Sequence, residues 1–184
     1  MQNDGSPTAR WLARLKSAIL WKSGAAKARS DPAAPYKIEK AWQEYLAPTF
    51  RKHGFKGSGR NFRQVINEIV LVINLQGSKY GGAFTVNLGA QPLAVPIGVG
   101  EVCDPASIKE YECAFRNRLS AVGRDTWWSY HDSRESMSDA AQQASRLFEA
   151  RGMKHFQEQM DFILGKTTEN FGRADPNTYV ALVD

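Results

Sequence analysis

Residues Val72 to Gly89 read VINLQGSKYGGAFTVNLG, and their spacing decides the fold. Polar and apolar side chains alternate on both sides of the GSKYGG turn. Asn74 and Gln76 interleave with Ile73 and Leu75, and Thr85 and Asn87 with Phe84, Val86 and Leu88. Successive strand residues point to opposite faces, so the pattern predicts an antiparallel hairpin with one apolar face. Pairing Leu75 with Phe84 sets Ile73 against Val86 and Leu71 against Leu88, with Asn74 opposite Thr85 and Gln76 opposite Ala83. The polar set Asn74, Gln76, Thr85 and Asn87 then shares the other face, close to the turn.

Upstream the period changes from two to 3.6. Ile38, Trp42, Tyr45, Leu46 and Phe50 make the apolar stripe of a helix that starts after Pro35, with Lys37, Lys40 and Glu44 facing water. Pro48 is expected to kink that helix, because it lacks an amide donor. Gly54 is expected to end it as a left-handed cap, with Phe55 as the apolar contact beyond. Downstream of the hairpin, residues 89 to 106 are rich in Gly and Pro and read as a long connection with one short extended piece near Leu93 to Ile97. YECAFRNRLS is a strand candidate with Cys113, Phe115 and Leu119 on one side and Arg116 and Arg118 on the other. Asp132 or Ser133 is expected to cap a helix with core positions Met137, Ala141, Ala144, Leu147 and Phe148, stopped by Gly152. A last helix from about Met153 carries Phe156, Met160 and Ile163. Helix, adjacent strands, then helices is a segregated order, which predicts an α+β single domain: an antiparallel sheet packed by an N-terminal helix and C-terminal helices.

Residues 1 to 34 are expected to be a separable extension, with Trp11, Leu12, Leu15, Ala18 and Ile19 at helical spacing followed by the linker-like SGAAKARSDPAAP. Residues 35 to 164 are expected to be the core domain. Residues 165 to 184 are a tail expected to dock through Tyr179 to Val183.

The formal net charge of +5 is unevenly placed. Residues 1 to 35 hold six basic against two acidic groups and residues 36 to 63 seven against two, so the rest of the chain is acidic by four. Two cysteines, Cys103 and Cys113, form no CxxC pair, which argues against a disulfide framework and against structural zinc. No metal site, catalytic set or cofactor is expected, and the residues favour a non-enzyme over an enzyme, since His53, His131 and His155 are scattered and no nucleophile motif occurs. No run approaches a membrane span, and Arg14 and Lys16 interrupt WLARLKSAIL where a signal peptide needs an unbroken apolar core. The expected location is cytoplasmic.

HGFKGSGRNF, VLVINLQGSKYGGAFTVNLG, RLSAVGRDTWWSY and FEARGMKHF together, in this order, resemble the bacterial domain-of-unknown-function family 4304 over roughly residues 36 to 164. The resemblance rests on Gly54, Phe55, Asn74, Gln76, Phe84, Asn87, Gly89, Arg118, Asp125, Trp127 and Trp128. It implies a helix ending in a GF turn, two partner strands, an arginine before a D-x-W-W cluster and a closing helix. It implies no activity.

Two surfaces are candidates for binding. The first joins Asn74, Gln76, Thr85 and Asn87 to Arg118, Trp127 and Trp128: amides both donate and accept without charge, and in an extended segment only one of the two tryptophans belongs to the core. Arg118 near Asp125 is a candidate bidentate pair. This surface predicts another protein as partner, with an inhibitory or immunity-type role as one form. The second is the basic set Lys52, Lys56, Arg60 and Arg63 with Phe55 and Phe62, which would bind nucleic acid through phosphate contacts and stacking.

Overall fold

The computed structural model describes residues 35–121 and 125–167 and the backbone of residues 173–174. The expected helix at Trp11 to Ile19, the linker after it, and docking by Tyr179 to Val183 lie outside the described residues.

The first helical rod runs through α1 (Ile38–Ala41), a π-helical turn (Trp42–Leu46) and α2 (Ala47–Lys52). Its widened turn ends at Leu46, two residues before Pro48. Proline offers no N–H to the carbonyl four residues back, and its ring crowds that carbonyl. The turn opens instead to the i→i−5 pattern, in which the Ala47 amide donates to the Trp42 carbonyl. The rod ends as expected: Gly54 takes φ +89°, its amide donates to the Arg51 carbonyl, and the Phe55 amide donates to the Phe50 carbonyl. That is a Schellman cap, and Phe55 is its buried apolar contact.

Among the described residues seven strands follow: β1 (Lys56–Ser58), β2 (Asn61–Ile66), β3 (Ile69–Gly77), β4 (Ala83–Pro92), β5 (Phe115–Arg118), β6 (Trp128–Ser129) and β7 (Arg173–Ala174). All pair antiparallel in the order β1-β2-β3-β4-β5-β7, and β6 pairs with β4. β5 takes Asn87 to Ala90 of β4 and β6 takes Ala83 and Phe84. β7 lies within the segment read from sequence as a tail, and it pairs with β5.

The central hairpin has the expected faces but a register displaced by two residues. Gly77 opposes Phe84, Gln76 opposes Thr85, Leu75 opposes Val86, Asn74 opposes Asn87 and Ile73 opposes Leu88. The expected pairing would have put Lys79 and Tyr80 alone in a two-residue turn, where both central residues need positive φ. The positive φ values belong to Gly81 (+75°) and Gly82 (+65°), so the loop spans Lys79 to Gly82. β2 and β3 meet through a true two-residue turn at Asn67 (φ +51°) and Glu68 (φ +59°).

One sheet face is covered by the helices. Trp42, Phe50, Phe62, Leu71, Ile73, Leu75, Phe84, Val86, Leu88, Phe115, Phe148 and Phe156 form its core. α3 (Arg134–Leu147) is capped by Ser133, whose side chain accepts from the Ser136 amide at 3.2 Å. Gly152 does not stop it. A π turn (Phe148–Gly152) leads directly into α4 (Met153–Ile163), and Gly152 is itself helical at φ −59°. Its reason is space, since a Cβ there would overlap the Phe148 ring.

The opposite face divides in two. Over one half lies the connection from Leu93 to Ala114, sealing Val70 and Val72 beneath Cys103, Ile108 and Cys113. Cys113 therefore does not share a side with Phe115. A 3-10 turn at Glu110–Glu112 delays the strand until Phe115 and breaks the expected alternation. Gln91, 1% exposed, ties this connection down: its amide donates to the Pro92 and Val95 carbonyls, and its oxygen accepts from the Ala114 amide at 2.7 Å. The other half of this face carries the polar residues.

Candidate functional site

Strand register builds the site. Asn61 on β2 opposes Asn74 on β3, Asn74 opposes Asn87 on β4, and Asn87 opposes Arg118 on β5. Directly opposed side chains share a face and lie close enough to interact, so four adjacent strands present one continuous polar row.

The row is hydrogen-bonded end to end. Arg118 Nε donates to Asn87 Oδ1 at 3.2 Å; Asn87 Nδ2 donates to Asn74 Oδ1 at 3.3 Å and to Gln76 Oε1 at 2.8 Å; Asn74 Nδ2 donates to Asn61 Oδ1 at 2.9 Å. A guanidinium has donors and no acceptor. Arg118 therefore forces Asn87 to turn its oxygen toward β5, and each amide beyond must orient the same way.

Beyond Arg118 the row ends in a polar corner. Arg118 Nη1 pairs with Asp125 through a single contact rather than the expected bidentate one, and its guanidinium carbon sits 5.5 Å from the Trp127 ring centroid. The sequence segment fixing this corner is extended, which separates the two tryptophans. Trp127 is 39% exposed, whereas Trp128 is buried at 7% and stacks on Phe84 with centroids 5.5 Å apart. Trp128 belongs to the core and drops out of the surface. Thr85 is also fully buried, its hydroxyl donating to the Thr126 carbonyl at 2.8 Å, so it anchors the segment before Trp127. Asn87 is 5% exposed, Asn61, Asn74 and Arg118 are half-buried, and Gln76 is exposed.

The basic set is dispersed. Lys52 pairs with Glu149 at 3.0 Å, and Arg60 pairs with Glu39 at 2.9 Å while lying over the Trp42 ring. Arg63 donates to the Ile108 and Ser107 carbonyls at 2.7 and 3.0 Å, clamping the long connection. Phe55 and Phe62 are buried. Only Lys56, opposite Arg63, is an exposed cation of this set beside the polar row.

His53 Nε2 lies 3.0 Å from Glu149 Oε2, and this contact, followed by Lys52, holds the Glu149 carboxyl below its usual range. Burial pushes the Cys113 thiol up, with Glu110 adding to the effect. Among the described residues no group of three or more His, Cys, Asp and Glu side chains could hold a metal ion, and no helix is long and apolar enough to cross a membrane.

Asn61 and Gln91 escaped the sequence reading. The signal for Asn61 was the Asn67-Glu68 turn, which fixes the β2 register and brings Asn61 opposite Asn74. Gln91 carried no sequence signal, because the partner of its oxygen, the Ala114 amide, comes from the far end of the connection.

The family model described as Domain of unknown function (DUF4304) matches residues 46–158, which include the whole row and both tryptophans. No curated protein and no solved structure matches the chain.

Proposed function

The chain belongs to the DUF4304 family, a domain of unknown function, and on the geometry of its open sheet face we propose that it is a protein-binding module. The observation that carries this reading is the in-register row Asn61, Asn74, Asn87 and Arg118, flanked by exposed Gln76 and Trp127. Asparagine is a poor strand former, and three of them side by side on adjacent strands do not arise from strand preference. An exposed tryptophan beside an arginine has the composition of an interface anchor. A cytoplasmic location and an inhibitory or immunity-type role belong to the same proposal.

The nucleic-acid alternative has less support. Three of its four basic residues are engaged within the chain, and its aromatic pair is in the core.

A photo-crosslinking residue placed at Gln76 and, separately, at exposed Asp139 on α3 tests the proposal in host cells. Protein adducts are expected from Gln76 and not from Asp139, with the yield reduced by Trp127→Ala. Equal adducts from both positions, or none from Gln76, would overturn it.

A further inference from the structure

The polar row has a direction, and its direction selects a ligand. Every bond along it runs from β5 toward β2: Arg118 donates to Asn87, Asn87 donates to Asn74 and Gln76, and Asn74 donates to Asn61. Each of the Asn61, Asn74, Asn87 and Gln76 oxygens already accepts one bond inside the row. What the row turns outward without a partner inside it is chiefly donors: the Asn61 and Gln76 amide nitrogens, with Lys56 one register step from Asn61 and the Arg118 guanidinium at the far end. The orientation is imposed by Arg118, which cannot accept.

Resting on the reading of this face as a protein-binding surface, we propose that its partner presents an acidic segment whose side-chain carboxylates accept hydrogen bonds from Asn61, Gln76 and the Arg118 corner. Acceptor-only groups are what a donor-rich surface satisfies best, and carboxylates gain additionally from charge. Among the described residues Asp125 is the one carboxylate bonded to the row, at one end and to Arg118. Lys56 and Arg63 add positive charge at the adjacent register position, where Arg63 spends its donors on neutral carbonyls and keeps its charge, with Asp104 within electrostatic reach of it. An acidic peptide fits better than a nucleic-acid strand. Phosphate tracking needs a line of cations and stacking needs open rings, whereas here the donors are mostly neutral amides, exposed Trp127 already carries Arg118 and exposed Tyr80 in the hairpin loop carries Lys79.

The test is fluorescence anisotropy of the full chain with a labelled decaglutamate peptide, at physiological ionic strength, against an oligothymidylate of equal length. The decisive variant is Asn61→Asp with Gln76→Glu. Both changes are isosteric, and the new carboxylates still accept the bonds from Asn74 and Asn87, so the row persists while its outward donors become acceptors. Wild type is expected to bind decaglutamate in preference to oligothymidylate. The double variant is expected to bind it about tenfold or more weakly, through lost donors and added repulsion, with an unchanged thermal midpoint. Undiminished binding by the variant, or stronger loss for oligothymidylate than for decaglutamate, overturns the proposal. No binding of decaglutamate while the Gln76 crosslink persists overturns the acidic class and leaves the protein-binding face standing; loss of the crosslink as well removes both.

Discussion

Gly89→Ala tests whether the long connection packs on the sheet as described. Gly89 is an ordinary strand residue without positive φ, so only space explains it. A Cβ at this position would lie 2.8 Å from Cys113 Sγ, 3.1 Å from Cys113 Cβ and 3.3 Å from Glu110 Cγ. Neither neighbour yields easily. Cys113 is sealed against Val70 and Val72, and the buried Glu110 is held by Arg116 at 3.0 Å. Forcing one carbon into such a contact costs about 1–3 kcal/mol, against which alanine regains about 0.5–1 kcal/mol over glycine within a strand. A net loss of up to about 2.5 kcal/mol is expected in urea unfolding with an unchanged m-value. Cys113→Ala alone should cost about 0.5–1.5 kcal/mol, the scale of deleting one buried group. In that background the closest obstacle is gone, and Gly89→Ala should cost about 1 kcal/mol less than in wild type. Costs that add to within about 0.3–0.5 kcal/mol, or a Gly89→Ala variant more stable than wild type, would refute the packing of Cys113 on Gly89.

Two further outcomes separate the sheet faces and test the helix end. Ile73→Ala, fully buried, should lose about 2–5 kcal/mol by transfer and cavity effects, while Gln76→Ala, exposed and accepting a single bond from Asn87, should lose about 1 kcal/mol or less in the same denaturation assay. Glu149 has a folded-state pKa below its unfolded one, so its contribution is present above the unfolded value, about 4.3, and is lost as pH falls through the folded value. Thermal melts should accordingly show Glu149→Gln less stable than wild type at pH 7, with the difference closing in acid below about pH 4; a difference that grows in acid would reverse the assignment.

The faces of the central hairpin were legible in the sequence while its register was not, and the reason is parity. A displacement of two residues leaves every side chain on its own face, so Ile73, Leu75, Phe84 and Val86 fall in the core under either pairing. Register is set by the turns. Gly81 and Gly82 rather than Lys79 and Tyr80 adopt positive φ, and Asn67 with Glu68 fixes the neighbouring hairpin. Only when both turns are right do Asn61, Asn74, Asn87 and Arg118 fall into line, so sequence could name three of these four residues without seeing that they form one row. The cover over Val70 and Val72 was less accessible still, since Gln91, Arg63 and Cys113 act through partners distant along the chain.

That division bears on what the row is for. Helix caps, turn glycines and the apolar face agree locally with the fold they serve, as expected where selection has acted on folding. The asparagines disagree with it: each sits in a strand it does not favour, and their mutual hydrogen bonds return only a modest net gain, about 1 kcal/mol each. Departures of this kind concentrate at functional surfaces. A row that is poor for folding, held in one orientation by Arg118 and left with donors facing outward, therefore supports recognition more than stability as the reason for its residues.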